Sequence, residues 1–304
     1  MAHHIPTGLN HPPFKLADVG AVLGVILIWG LNFVTMKYAL RDFTPFQLGA
    51  ARYVFASLPL VFFIPRPRLP VGWIVAGGLA QLGQFAFLFL ALRDGMTAAM
   101  ASVLMQMQLF FTTLLGVAML GESLAKAGVY ALLLAAIGLV CFAISAVQGG
   151  GAITLAGLLL NLAAAGMWAV SNIVARRAQR LHPDFDALQY VVWISLVPIV
   201  PFIVLAWALD PPEVRWNWLG ARDSSWASVV FLGLIATVAA YAMWTHLLKR
   251  HPASRVAPFS LGVPVVGLVA AIVLLGEAVT ALQWLGSGLV VGALVVFMGW
   301  RRGP

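Results

Sequence analysis

The chain has 304 residues, 62% of them hydrophobic and only 9% charged, with a formal net charge of +8. A water-soluble fold of this length cannot hide so much apolar surface, so a lipid bilayer is the solvent for most of the chain. The positive charge then reports loop topology rather than a nucleic-acid surface, and the lone Cys141 excludes an internal disulfide.

Residues 1–14 form a Pro-rich lead with His3, His4 and His11. It lacks the pattern of a cleavable signal and is expected to be disordered. A transmembrane helix needs about 20 apolar residues. Ten stretches qualify: 18–38, 46–64, 71–92, 97–120, 127–147, 153–175, 187–208, 226–248, 253–275 and 281–300. The prediction is an all-α polytopic membrane protein with almost nothing left over for a second domain.

The first span carries Trp29, Asn32 and Phe33, one face of a helix turn. Arg52, in the second span, is expected to snorkel to the surface. Gln81, Gln84 and Phe85 follow in the third. In the fourth, Ser102, Gln106 and Thr113 share a stripe, accompanied by Gln108 and Thr112. The sixth span repeats the pattern of the first with Trp168, Ser171 and Asn172. Thr237, Tyr241 and Trp244 line one face of the eighth, and Pro258, Ser260 and Pro264 interrupt the ninth. Unmet polar groups are costly in lipid, so such stripes face protein or a wet cavity. Interhelical hydrogen bonds that serve only packing are the alternative for each residue. His246 reads as an interfacial side chain beside Lys249 and Arg250. Leu133 and Val290, on the fifth and tenth spans, are expected at outer positions.

The chain repeats itself. Residues 95–124 and 250–279 each run from small residues through an apolar helix to Leu-Gly-Glu, ending at Leu120, Gly121 and Glu122 and at Leu275, Gly276 and Glu277. The two glutamates read as boundary markers. Five spans separate the copies, so the second enters the membrane inverted, an arrangement that lets two halves rock around one site. The halves are residues 15–148 and 152–302, joined at Gly149, Gly150 and Gly151. Placing both termini in the cytoplasm puts Lys15, Arg66, Arg68, Lys126, Arg176, Arg177, Arg180, Lys249, Arg250, Arg255, Arg301 and Arg302 inside. Only Lys37, Arg41, Arg93, Arg215 and Arg222 then lie outside. That bias follows the positive-inside rule.

No acidic residue occupies mid-span, and no phosphate-binding loop, metalloprotease or serine-hydrolase motif occurs. No catalytic residue, metal site or cofactor is therefore expected. Gly288 and Gly292 form a G-x-x-x-G on the tenth span that suits either a homodimer or packing within a monomer.

Four stretches together resemble the drug/metabolite transporter superfamily and its EamA-type ten-helix exporters: WGLNFV (29–34), the Phe-rich run 84–112, VVWISLVPIVPF (191–202) and the segment 236–277. The resemblance covers nearly the whole chain and is strongest to the amino-acid-exporting branches. It implies a basket of ten helices in two inverted five-helix repeats, moving small metabolites out of a bacterial cell across the inner membrane. Helices one, three, four, six, eight and nine would line a central cavity without fixed charge. Asn32, Gln84, Gln106 and Asn172 would bond a zwitterion's ammonium and carboxylate. Trp29, Phe33, Phe85, Trp168, Tyr241 and Trp244 would contact its side chain, with Gln81, Ser102, Ser171, Ser260 and Pro264 completing the site. The partners expected are small amino acids or metabolites and the bilayer, with no nucleic acid. Exporters of other metabolites or drugs, a sugar-phosphate or nucleotide-sugar translocator, and a polytopic membrane enzyme are the competing classes. A translocator of phosphorylated sugars would need Lys or Arg in the cavity.

Overall fold

The computed structural model describes residues 15–121, 126–148, 153–184, 186–251 and 253–300. The N-terminal lead, Glu122, the glycine junction, Arg301 and Arg302 lie outside them. Helices and turns account for the described residues, with no strand among them.

The helices are α1 (Leu16–Ala39), α2 (Pro45–Ser57), α3 (Val71–Arg93), α4 (Ala98–Leu104), α5 (Met107–Leu120), α6 (Lys126–Gln148) and α7 (Leu155–Leu181). They continue as α8 (Ala187–Ile194), α9 (Ile199–Leu209), α10 (Asp223–Val230), α11 (Ala240–Arg250), α12 (Ala253–Val256), α13 (Gly262–Leu275) and α14 (Ala281–Trp300). A π-helical segment, Phe231–Ala239, connects α10 to α11 without a break. Among the described residues eight helical stretches are long and apolar enough to cross a membrane, and Phe259–Leu275 is a shorter apolar one.

Four expected spans are not uniform helices. The second ends at Ser57 and finishes as turns. Pro59 explains this, because it lacks the amide that would continue the ladder and crowds the preceding turn. The seventh is split at residues 195–198, ahead of Pro198. The fourth is split at Met105 and Gln106 with no proline. There the amides of Gln106, Gln108 and Leu109 bond three residues back, at 3.0–3.2 Å, in a tight 3₁₀ turn. The ninth opens with α12, passes through a 3₁₀ turn at Ala257–Leu261 and becomes α13.

The two long copies match in detail. α5 starts at Met107 and stops at Gly121 with φ 65° and ψ 24°; α13 starts at Gly262 and stops at Gly276 with φ 65° and ψ 25°. Only glycine takes that left-handed conformation without strain, which is why Leu-Gly-Glu ends both helices. Packing crosses between the halves. α1 packs on α11 and α13, while α7 packs on α3 and α5. The second span packs on the seventh through α2 and α9, and α6 packs on α14. α1 also lies close against α13: a Cβ on Gly30 would sit 2.4 Å from a Val266 methyl.

The α6–α14 pair corrects one expectation. Leu133 is exposed, but Val290 is fully buried against α6, where a Cβ on Gly138 would lie 3.1 Å from it. The close approach within the chain is Gly138 to Gly286. A Cβ on Gly288 would meet nothing within 4 Å and one on Gly292 only a Leu134 methyl at 3.7 Å, so the G-x-x-x-G is not where these two helices approach most closely.

Candidate functional site

α1 and α11 bring three of the expected aromatic residues together. The Trp29 ring lies 5.3 Å from that of Tyr241, edge-on, and 5.6 Å from that of Trp244. Its indole N–H donates to the carbonyl of Ala236 at 3.1 Å. That carbonyl belongs to the π-helical segment. Widening the helix by one residue per turn disturbs the usual pairing, and such segments recur at functional sites. The Thr237 hydroxyl donates five residues back to the Leu232 carbonyl at 2.8 Å.

Arg52 meets this segment from the other side. Its Nη2 donates to Thr237 Oγ1 at 3.0 Å, and its guanidinium carbon stands 3.9 Å from the centre of the Phe85 ring. Phe85 packs in turn on Tyr53 and Phe89, with centroids at 5.8 and 5.6 Å. Arg52 is only 3% exposed. The snorkelling expectation is therefore wrong. α2 stops at Ser57 and packs on α3 and the π segment, so its inner face points into protein and Arg52 lies on that face. The expectation of an interior without fixed charge falls with it. The signal was in the sequence: an ionisable residue well inside an apolar span marks function by default.

Several polar atoms on α1, α2 and α3 are buried without a partner among the described residues. They are Arg52 Nε and Nη1, Asn32 Oδ1, the Tyr53 hydroxyl and Gln81 Oε1. Gln84 and Phe33 are buried on the same two helices as Gln81 and Asn32.

Other expected residues are engaged elsewhere. Asn172 donates to Gln108 Oε1 at 2.8 Å and to Thr112 Oγ1 at 3.2 Å, tying α7 to α5. Ser102 is fully buried and donates to the carbonyls of Ala99 at 2.7 Å and Pro264 at 3.4 Å, tying α4 to α13. Trp168 packs half-buried against the main core, and Ser171 is half-buried beside Asn172 on α7. Gln106, 7% exposed, sits at the break between α4 and α5. Ser260 lies in the 3₁₀ turn of the ninth span, and Pro264 is buried in α13.

The helix ends carry the charges. Glu277 is more than a boundary marker. Its two carboxylate oxygens accept the first amides of α4, from Ala98 at 2.8 Å and Ala99 at 2.9 Å. A residue of the second half thus caps a helix of the first, satisfying amides that a helix start leaves free. At the same end Asp42 accepts from Arg222 and from the Ser225 hydroxyl. These bonds hold its carboxyl well below the usual range. Burial raises Asp210, which accepts from the Thr44 hydroxyl. At the opposite end Asp18, almost fully buried, pairs with Arg250 at 3.2 Å and with His251 at 3.1 Å. There Lys249 lowers Asp186 through a 2.9 Å bond. His246 is exposed, and its ring lies 3.4 Å from the Arg250 guanidinium.

A cavity of about 530 Å³ lies on the outer face of α2, among residues that include Phe55, Trp207, Trp218 and Trp226. It contains none of the expected residues.

A family model described as the EamA-like transporter family matches residues 17–144 and again residues 155–299. The chain belongs to this family. Among EamA-like relatives, a probable amino-acid metabolite efflux pump of Salmonella typhimurium is 37% identical over 274 residues, covering 90% of this chain and 91% of its own. A protein of the same description in Escherichia coli is 36% identical over 283 residues, covering 91% and 94%. A probable terminal-alkyne amino-acid exporter of Streptantibioticus cattleyicolor is 26% identical over 300 residues, covering 93% and 95%. One solved crystal structure shares the fold of this EamA-like chain, with a TM-score of 0.64 at 21% identity, covering 95% of this chain and 99% of that one.

Proposed function

We propose that this protein exports amino acids and related small metabolites across a bacterial inner membrane by alternating access. The observation that carries this is full-length identity of 36–37% to two relatives described as probable amino-acid metabolite efflux pumps. The site geometry supports it. Phe85 lies against the partly unpaired Arg52 guanidinium, and the Trp29, Tyr241 and Trp244 rings cluster where α1 and Arg52 both bond the π segment. A ligand with an apolar body and two charged ends suits that chemistry better than a purely apolar drug.

The architecture belongs to the same proposal. Ten spans form two inverted repeats of five, 15–148 and 152–302, with both termini cytoplasmic. Support comes from the double match to the family model, from the equal left-handed stops at Gly121 and Gly276, and from packing that exchanges α1 and α7 between halves. Fifth packs on tenth and second on seventh, as a two-fold axis in the membrane plane requires. The end holding Lys15 and Arg250 is then cytoplasmic, and Glu277 caps α4 on the outer side.

The test is flux in proteoliposomes containing the purified protein and labelled neutral L-amino acids, with L-cysteine and L-phenylalanine in the panel. Saturable movement of at least one, blocked by excess unlabelled amino acid, is the expected result. Movement of sugar phosphates in its place would replace the proposal with the translocator class.

A further inference from the structure

Arg52 is a buried cation without an acidic partner among the described residues. It is 3% exposed, and its hydrogen bond among the described residues goes to a neutral hydroxyl, Thr237. Nε and Nη1 have no partner among the described residues. Among the described residues no carboxylate pairs with it; Asp18 bonds Arg250 and His251, Asp42 Arg222, Asp186 Lys249, and Glu277 the α4 amides. An unpaired guanidinium within a membrane-spanning bundle is expensive to keep, and proteins retain such groups where an ion or substrate supplies the missing charge.

We propose that Arg52 is the carboxylate anchor of the transport site, holding a small monocarboxylate between α2, α3 and the π-helical segment. This rests on the amino-acid-export reading and names the group that recognises the acid end. The guanidinium is a planar fork that matches a carboxylate. Phe85 beneath it and Thr237 at Nη2 fix its plane, which leaves Nε and Nη1 to receive the ligand. One fixed positive charge balances one carboxylate, whereas a phosphate dianion would remain half-neutralised. The other end of a zwitterion also finds its complement. Asn32 Oδ1 and Gln81 Oε1 are buried acceptors without donors among the described residues, and Asn32 stands one turn from Trp29 on α1. α2 and α1 both pack on the π segment. Trp29 binds it at Ala236 and Arg52 at the next residue, Thr237, so both helices are tied to one point of that segment.

The experiment compares the purified full chain with Arg52→Gln, Arg52→Met and Arg52→Lys, each checked for a monodisperse gel-filtration peak. Thermal stabilisation is measured with L-phenylalanine, L-phenylalaninamide, sodium acetate and sodium phosphate, against sodium chloride at equal ionic strength. Ligand that binds the folded state raises the unfolding midpoint. Wild type should be stabilised by the amino acid and by acetate and at least tenfold less effectively by the amide. Arg52→Gln and Arg52→Met should lose that preference for the free acid, and Arg52→Lys should keep part of it. Equal preference in wild type and Arg52→Gln overturns the anchor, as does no response of wild type to any carboxylate. Stabilisation by phosphate alone overturns the carboxylate assignment. Proteoliposome flux separates the two levels. Amino-acid flux unchanged in Arg52→Gln sinks the anchor and leaves export standing. No amino-acid flux in wild type, with Arg52-dependent stabilisation by acetate, sinks export and leaves the anchor.

Discussion

Arg52 and Glu277 are single charges set beside apolar helices, and position alone separates their roles. Glu277 lies where α4 begins and meets two backbone donors. Removing it leaves those amides unsatisfied, and loss of an N-terminal cap costs about 0.5–2 kcal/mol. Glu277→Ala should therefore lower the thermal midpoint of the purified protein, with Glu277→Gln in between; midpoints equal to wild type would refute the cap. Trp29→Phe keeps a ring against Tyr241 and Trp244 but deletes the donor to Ala236. A lost hydrogen bond of about 0.5–1.5 kcal/mol should appear as a several-fold fall in flux with expression unchanged. Asp42 gives a pH signature. Its folded value lies below the ordinary one near 3.9, so its stabilisation is complete above that value and fades as pH falls through the folded one. The stability gap between wild type and Asp42→Asn should be constant from about pH 5 to 8 and shrink below about pH 4. A gap that grew in acid would reverse the assignment.

At the scale of elements, the interruptions fall in matched places: second with seventh, fourth with ninth. The helices of the second and seventh spans stop just ahead of proline, at Pro59 and Pro198, a signal the sequence carries although both spans were expected to be continuous. The break at Met105 and Gln106 has no such signal. Nothing in that apolar run forbids a continuous helix, and the tight turn forms where α4 packs on α13. The closeness of that contact is measured by glycine. A Cβ on Gly267 would stand 2.5 Å from that of Ser102, and one on Gly30 2.4 Å from a Val266 methyl. Overpacking of this kind costs about 1–3 kcal/mol. Gly267→Ala and Gly30→Ala should each lower the thermal midpoint, while Gly288→Ala, with nothing within 4 Å, should not. Equal tolerance at all three positions would show that α1, α4 and α13 are not packed as described.

For the whole molecule, the exchange of first helices between the halves means that neither half can complete its core alone. α1 lies on helices of the second half and α7 on helices of the first. Cysteine labelling tests the proposed orientation, in a Cys141→Ala background since that residue is buried. Glu213→Cys should react from outside intact cells, and Gln179→Cys only after permeabilisation. Reaction of Gln179→Cys in intact cells would invert the topology. Lacking a mid-span carboxylate, the protein should run down its amino-acid gradient without an imposed proton gradient. Strict dependence on one would turn attention to the buried Asp18–His251 pair rather than to the exposed His246.

The sequence by itself determined the class of solvent, the positions of the apolar helices, the duplication and the glycine stops. Each depends on local chemistry: hydropathy over about 20 residues, and a left-handed backbone that only glycine accepts freely. It also picked out Trp29, Tyr241 and Trp244 by their spacing, although only the fold shows that they touch. The tertiary structure decided which polar residues face one another. Asn172 and Ser102 carry the same signature as Asn32 and Gln81, a polar group in an apolar helix. The first pair finds partners on α5 and α13, while the second pair retains unmatched acceptors. The inward turn of Arg52 was likewise settled by packing, because a helix that stops at Ser57 and rests on α3 and the π segment turns that guanidinium into protein.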